Sequence, residues 1–168
     1  MVSEDEKVLK LIEEFAQKLS KLPDGRIDYS NSDTAPVITI FVKYEDKILL
    51  LKRSDKVRAY QGKWNSVAGY LDELKPIRQK SLEEVREETG IKEDNISSIQ
   101  VGESYEFKDT EIDKTWIIHP ILVELKNEPE IQLNWEHTEY KWIKPEELKN
   151  FDIVLSLDKS LESVMPDS

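Results

Sequence analysis

The sequence predicts an α/β (α+β) fold: a mixed β-sheet sandwiched between helices, with an added amphipathic helix at the N-terminus. Three observations predict it. Short β-branched and aromatic runs outnumber the helical patterns, yet the two interleave along the chain. Apolar residues recur at helical spacing before Leu22, between Pro76 and Gly90, and from Val154 to Val164. Finally, 168 residues with 38% hydrophobic content are enough to bury one real core.

Ser3 and Glu6 can form a capping box, after which Val8, Leu11, Ile12, Phe15, Leu19 and Leu22 line one side of a helix. Such a helix either covers part of the domain or forms a dimer or partner contact, and a homodimer is one expectation. Pro23-Asp24-Gly25 stops it, and Tyr29 to Asp33 reads as connection. Residues 1–33 are therefore expected to be the N-terminal helix and its connection, with residues 34–168 the compact domain.

Val37 to Tyr44 and Ile48 to Leu51 predict two buried strands in a hairpin across Glu45-Asp46. Lys52 to Trp64 then concentrates positive charge in an otherwise acidic chain. It reads either as a solvated loop or as a cradle for phosphate oxygens. Asn65 to Leu71 predicts a short strand, and a helix starts near Pro76. Beyond Gly90, strands are expected over Ile96 to Phe107, Thr115 to Leu125 and Ile131 to Trp135, then a short extended piece at Tyr140 to Ile143. Pro145 opens a helical turn, and Val154 to Val164 closes the chain as a helix.

A net charge of −11 and a pI near 4.8 argue against broad attraction to nucleic acid or an anionic membrane. With no cysteine, disulfides, thiolate metal sites and cysteine nucleophiles are excluded together. No apolar stretch approaches the roughly 20 residues needed to span a bilayer, and neither end carries a basic segment followed by an apolar run. The expectation is a soluble, cytoplasmic protein.

The stretch Gly69 to Ile91 carries the chemistry. At about 100° per residue, Glu87 and Glu88 fall within a third of a turn on either side of Glu84, while Leu82, Val85 and Thr89 project elsewhere. Two carboxylates about 4 Å apart repel by on the order of 4 kcal/mol at an effective dielectric near 20. Solvent or a cation must compensate. Oxygen-only ligands favour magnesium, or manganese, and His119 and His137 do not form a zinc spacing. Acidic helices usually face water, so spacing has to decide between the two.

Gly69, Glu84, Val85, Glu87, Glu88, Gly90 and Ile91 fall without a gap on the pattern G-x5-E-x7-R-E-U-x-E-E-x-G-U, where U is aliphatic. The stretch thus resembles the Nudix box. Lys52-Arg53, Gly62-Lys63-Trp64 and the run Glu136 to Trp142 also look like sequences that flank this box in family members. The resemblance implies a Nudix-like fold and a hydrolase of a nucleoside diphosphate linked to another moiety. It further implies magnesium held by Glu84, Glu87 and Glu88, with the Gly69 carbonyl a further ligand, and water attack at phosphorus. Family members take the general base from the box or from a loop glutamate. Here the loop candidates are Glu136, preferred, and Glu139. Arg53 stands where phosphate contact is implied, assisted by Arg58 or Lys63. Tyr60, Trp64, Tyr70 and Trp142 either stack a base or belong to the core.

Two positions depart from the pattern. Lys75 stands where the family has glutamate and Glu83 where it has arginine, so the expected ion pair is present with reversed polarity. The swap removes one carboxylate from the metal site, and a weakened nucleotide-binding or sensing module is the alternative function. An isopentenyl diphosphate isomerase of the same superfamily would use a cysteine, which this chain lacks.

Overall fold

The computed structural model describes residues 3–165. Helix α1 (Glu4–Lys18) starts where Ser3 Oγ accepts the Glu6 N–H at 3.2 Å, with Glu4, Asp5 and Glu6 in its first turn and Lys18 in its last. Those charges complement the helix dipole. Its apolar side buries Val8 and Ile12 beside Phe15, Ala16 and Leu19, in one cluster with the sheet. The helix therefore covers the domain, and Asp5 reaches Arg78 at 3.6 Å.

Strands β1 (Thr34–Tyr44) and β2 (Lys47–Arg53) form the expected hairpin, with Tyr44 opposite Lys47. Side chains alternate along both strands. Ile38, Ile40, Val42, Leu49 and Leu51 face one core, whereas Phe41, Ile48 and Leu50 face the other. Apolar residues on both faces mark central strands that are covered on each side. The first core lies under α1 and α2 (Ile77–Thr89), and the second under α3 (Leu157–Val164).

The eight-stranded sheet is mixed. Strand β7 (Lys114–Leu125) runs parallel to β1, from Thr34 opposite Thr115 to Lys43 opposite Glu124. The other pairings are antiparallel. Strand β4 (Val67–Tyr70) lies on β1, while β3 (Trp64–Asn65) and β8 (His137–Ile143) flank β2. Strands β5 (Ile96–Val101) and β6 (Tyr105–Asp109) share the outer edge of β7.

Four expected elements differ from those observed. The run Asn65 to Leu71 is divided between β3, which pairs with β2, and β4, which pairs with β1. The run Ile96 to Phe107 is two strands with residues 102–104 between them: the Gly102 N–H donates to the Pro120 carbonyl at 2.8 Å, but Pro120 has no N–H to return. Ile131 to Trp135 is not a strand. Ile131 and Leu133 bury against the first core, but the backbone runs past the end of α2, with the Gln132 N–H donating to the Thr89 carbonyl at 2.8 Å. Helix α3 begins only at Leu157, after Ser156 adopts a left-handed conformation with φ 68°. Among the described residues, no helix is long and apolar enough to cross a membrane.

Candidate active site

Helix α2 is anchored at both ends. Pro76 precedes its first turn, and Gly90, with φ 79°, ends it by donating its N–H to the Arg86 carbonyl at 2.8 Å. Ile77 and Val85 bury one side against the sheet. This fixes the acidic side against β4, where Glu84 packs on Gly69. A Cβ at position 69 would lie 2.7 Å from Glu84 Cδ, so glycine is what admits the carboxylate.

The two neighbours of Glu84 on the helix meet opposite environments. Glu87 is exposed, whereas Glu88 is only 1% exposed and sits beneath β4 and β8. Glu88 Oε1 accepts weakly from the Ala68 N–H at 3.4 Å and lies 3.8 Å from His137 Nε2, while its Oε2 has no hydrogen-bond partner. Burial, with Glu136 and Glu84 close by, pushes the Glu88 carboxyl well above the ordinary range. Burial also raises Glu84, against the opposing charge of Lys80. His137 is buried near Arg53, and its pKa is lowered to about 4, so it is neutral beside Glu88.

A second cluster adjoins the first. The Lys80 ammonium lies 3.1 Å from Asp72, 3.2 Å from Glu73 and 3.3 Å from Glu84, with its side chain 8% exposed. Burial opposes its charge, but Asp72 and Glu84 outweigh burial and its pKa is raised. The reversed pair is formed: Lys75 Nζ donates to Glu83 Oε1 at 2.9 Å and Oε2 at 3.1 Å, and also meets Glu73 at 3.2 Å.

Two cavities meet at Gly69 and Tyr70. The polar one, of about 400 Å³, is lined by Glu84, Glu87 and Glu136 together with Asp72, Glu73 and Lys80. The apolar one, of about 410 Å³, contains Arg53, Arg58, Tyr70, Trp116 and Trp135. Glu136 borders both, and Asn134 Nδ2 donates to its Oε1 at 3.1 Å. Arg53 is held by its Nε–H donating to the Ala59 carbonyl at 3.0 Å.

The structure thus brings Gly69, Glu84, Glu87, Glu88, Glu136, Arg53 and Arg58 to one region. Lys63 lines neither cavity and pairs with Asp152 at 3.1 Å, and Glu139 pairs with Lys52 at 3.4 Å on the strand surface. Trp64 and Trp142 belong to the cores, while Tyr60 and Tyr70 line the apolar cavity. Sequence reasoning missed Asp72, Glu73 and Lys80. The spacing of Lys80 four residues before Glu84 was the available signal.

The residues present fit a hard divalent ion. They offer oxygen donors, an orphaned buried oxygen on Glu88 and a glycine that lets Glu84 approach the strand. As the side chains stand, no group of three acidic or histidine residues among the described residues is placed to hold a metal ion, and Glu84 is paired with Lys80.

The fold, with its family-model match and its relatives, makes this a Nudix-type pyrophosphohydrolase, a class that generally uses divalent metal. The chain belongs to this family: the NUDIX domain model matches residues 33–164. Among curated relatives, a nucleoside triphosphatase NudI of Escherichia coli O139:H28 is 23% identical over 130 residues, covering 74% of this chain and 92% of that one. An Ap4A hydrolase binary complex from C. elegans superposes with a TM-score of 0.65 at 19% identity, covering 79% of this chain and 96% of that one. A MutT protein from Methanosarcina mazei Go1 gives 0.63 at 24% identity, over 79% and 93%. These structural likenesses establish the fold.

Proposed function

We propose that the protein is a magnesium-dependent hydrolase of a nucleoside diphosphate linked to another moiety. The observation that carries this reading is the shared wall of the two cavities. Carboxylates Glu84, Glu87 and Glu136 border Gly69 on one side, and Arg53, Arg58 and stacked aromatic rings lie on the other. Glu84, Glu87, Glu88 and the Gly69 carbonyl would hold the ion, with manganese an acceptable substitute. When bound, the metal offsets the carboxylate and diphosphate charge, acidifies a water and stabilises charge developing on phosphoryl oxygens.

The chain's own groups do the rest. Arg53 and Arg58 bind phosphate oxygens and orient the bridge, and Lys63 assists only if its loop leaves Asp152. Glu136, fixed by Asn134, accepts the proton of the attacking water. Tyr70 is stacked on Tyr29 at 5.5 Å and stands 6.0 Å from Trp116, which presents flat apolar surface to a nucleobase. A volume of about 410 Å³ suits a ligand of that size. The activities of the relatives, a nucleoside triphosphatase and an Ap4A hydrolase, agree with a phosphoanhydride substrate.

Turnover of a nucleotide panel with magnesium in oxygen-18 water tests the reading and reports which phosphorus takes the label. Glu87→Gln should lower turnover about a hundredfold or more with the fold intact. Unchanged activity in that variant refutes the site. The alternative, a weakened sensing module, rests on Lys75 and Glu83: their ion pair closes, while the swap still removes one carboxylate from the metal site. Calorimetric binding of the same panel without turnover would favour the sensor.

A further inference from the structure

The Lys80 ammonium has no part in the mechanism above, yet it sits where three carboxylates converge. One oxygen each from Asp72, Glu73 and Glu84 surrounds it at 3.1 to 3.3 Å. Lys80 is buried, it projects from the same helix one turn before Glu84, and Glu84 is the carboxylate seated against Gly69. A divalent ion on Glu84 would share that carboxylate with the ammonium, 3.3 Å from it, and two cations so close repel strongly in a partly buried site.

We propose that Lys80 is a tethered cation that competes with the divalent ion for Glu84 and so lowers the metal affinity of the nucleotide-free protein. The inference rests on the metal reading of the site. It differs from a purely orienting role for Lys80, which would make the lysine help metal binding instead.

Manganese titration of the nucleotide-free protein, by calorimetry and by electron paramagnetic resonance of the free ion, measures this without any turnover. Lys80→Met and Lys80→Gln should each bind manganese about tenfold more tightly or better, because an apposed positive charge is gone. Lys75→Met removes the same charge from a lysine that touches Glu73 and Glu83 but has no pairing with Glu84. It should stay within about threefold of the unsubstituted protein. Unchanged or weaker binding in the Lys80 variants, or equal tightening in Lys75→Met, overturns the proposal. Should neither Lys80 variant fold, the side-chain amine resonance of Lys80 in the unsubstituted protein decides the matter. Magnesium should shift it as Glu84 is drawn away, and an unmoved signal at saturation overturns the proposal. Absence of metal binding in every form would refute the metal reading itself, whereas binding that Lys80→Met leaves unchanged refutes only the competition.

Discussion

Gly69 separates stability from catalysis at a single residue. An alanine methyl there would meet the Glu84 carboxyl group, the far end of a flexible side chain, which can swing aside. Gly69→Ala should therefore melt close to the unsubstituted protein while losing about a hundredfold in kcat, as expected for a misplaced catalytic group. Steady-state kinetics beside thermal melts check it. Lys75 and Glu83 test polarity in the same way. Lys75→Glu and Glu83→Lys should each lower Tm by placing like charges together, and the double swap should restore it. His137 supplies a pH dependence. Its pKa is lowered to about 4 in the folded protein against about 6.5 unfolded, so the unfolded chain binds the extra proton between those values. Stability is then complete above about pH 6.5 and is lost as pH falls toward 4, by up to about 3 kcal/mol. The raised Glu88 acts in the opposite sense, so His137→Gln compared with the unsubstituted protein in denaturant melts at pH 7 and 4.5 isolates the histidine, whose replacement should flatten the profile.

Among the elements, α2 was the most legible. Its caps and its acidic side followed from residue spacing, because a helix puts residues three and four apart on one face, whereas the reversed ion pair of Lys75, which precedes the helix, with Glu83 was what the resemblance to the Nudix box implied. Lys80 was not legible as a site residue. Its meaning depends on Asp72 and Glu73, which reach it only after the connection from β4 folds back. Ile131 to Trp135 misled because Ile131 and Leu133 alternate as strand residues do, although no neighbouring strand edge takes them. The different surroundings of Glu87 and Glu88 were also hidden, since they arise from Ala68 and His137 on two distant strands. Helix α1 is held by Val8 and Ile12, both buried in the first core. Ile12→Ala should cost about 2–5 kcal/mol in chemical denaturation, the usual range for emptying a fully buried site.

At the scale of the whole molecule, Val8 and Ile12 share one cluster with residues of β1, β2 and α2. Residues 1–33 and 34–168 should accordingly melt in one calorimetric transition, and two resolved transitions would mark them as separate units. The parallel pairing of β1 with β7 has a consequence for how the chain is made. Val37 and His119 are in contact although 82 positions apart in sequence, and the strand between two cores is the one that needs that distant partner. On the ribosome, the β1–β2 hairpin must emerge long before β7 and wait with an unpaired apolar edge. Folding should be slow for a domain of this size, and nascent chains that end before Leu125 should engage holding chaperones more than longer ones do.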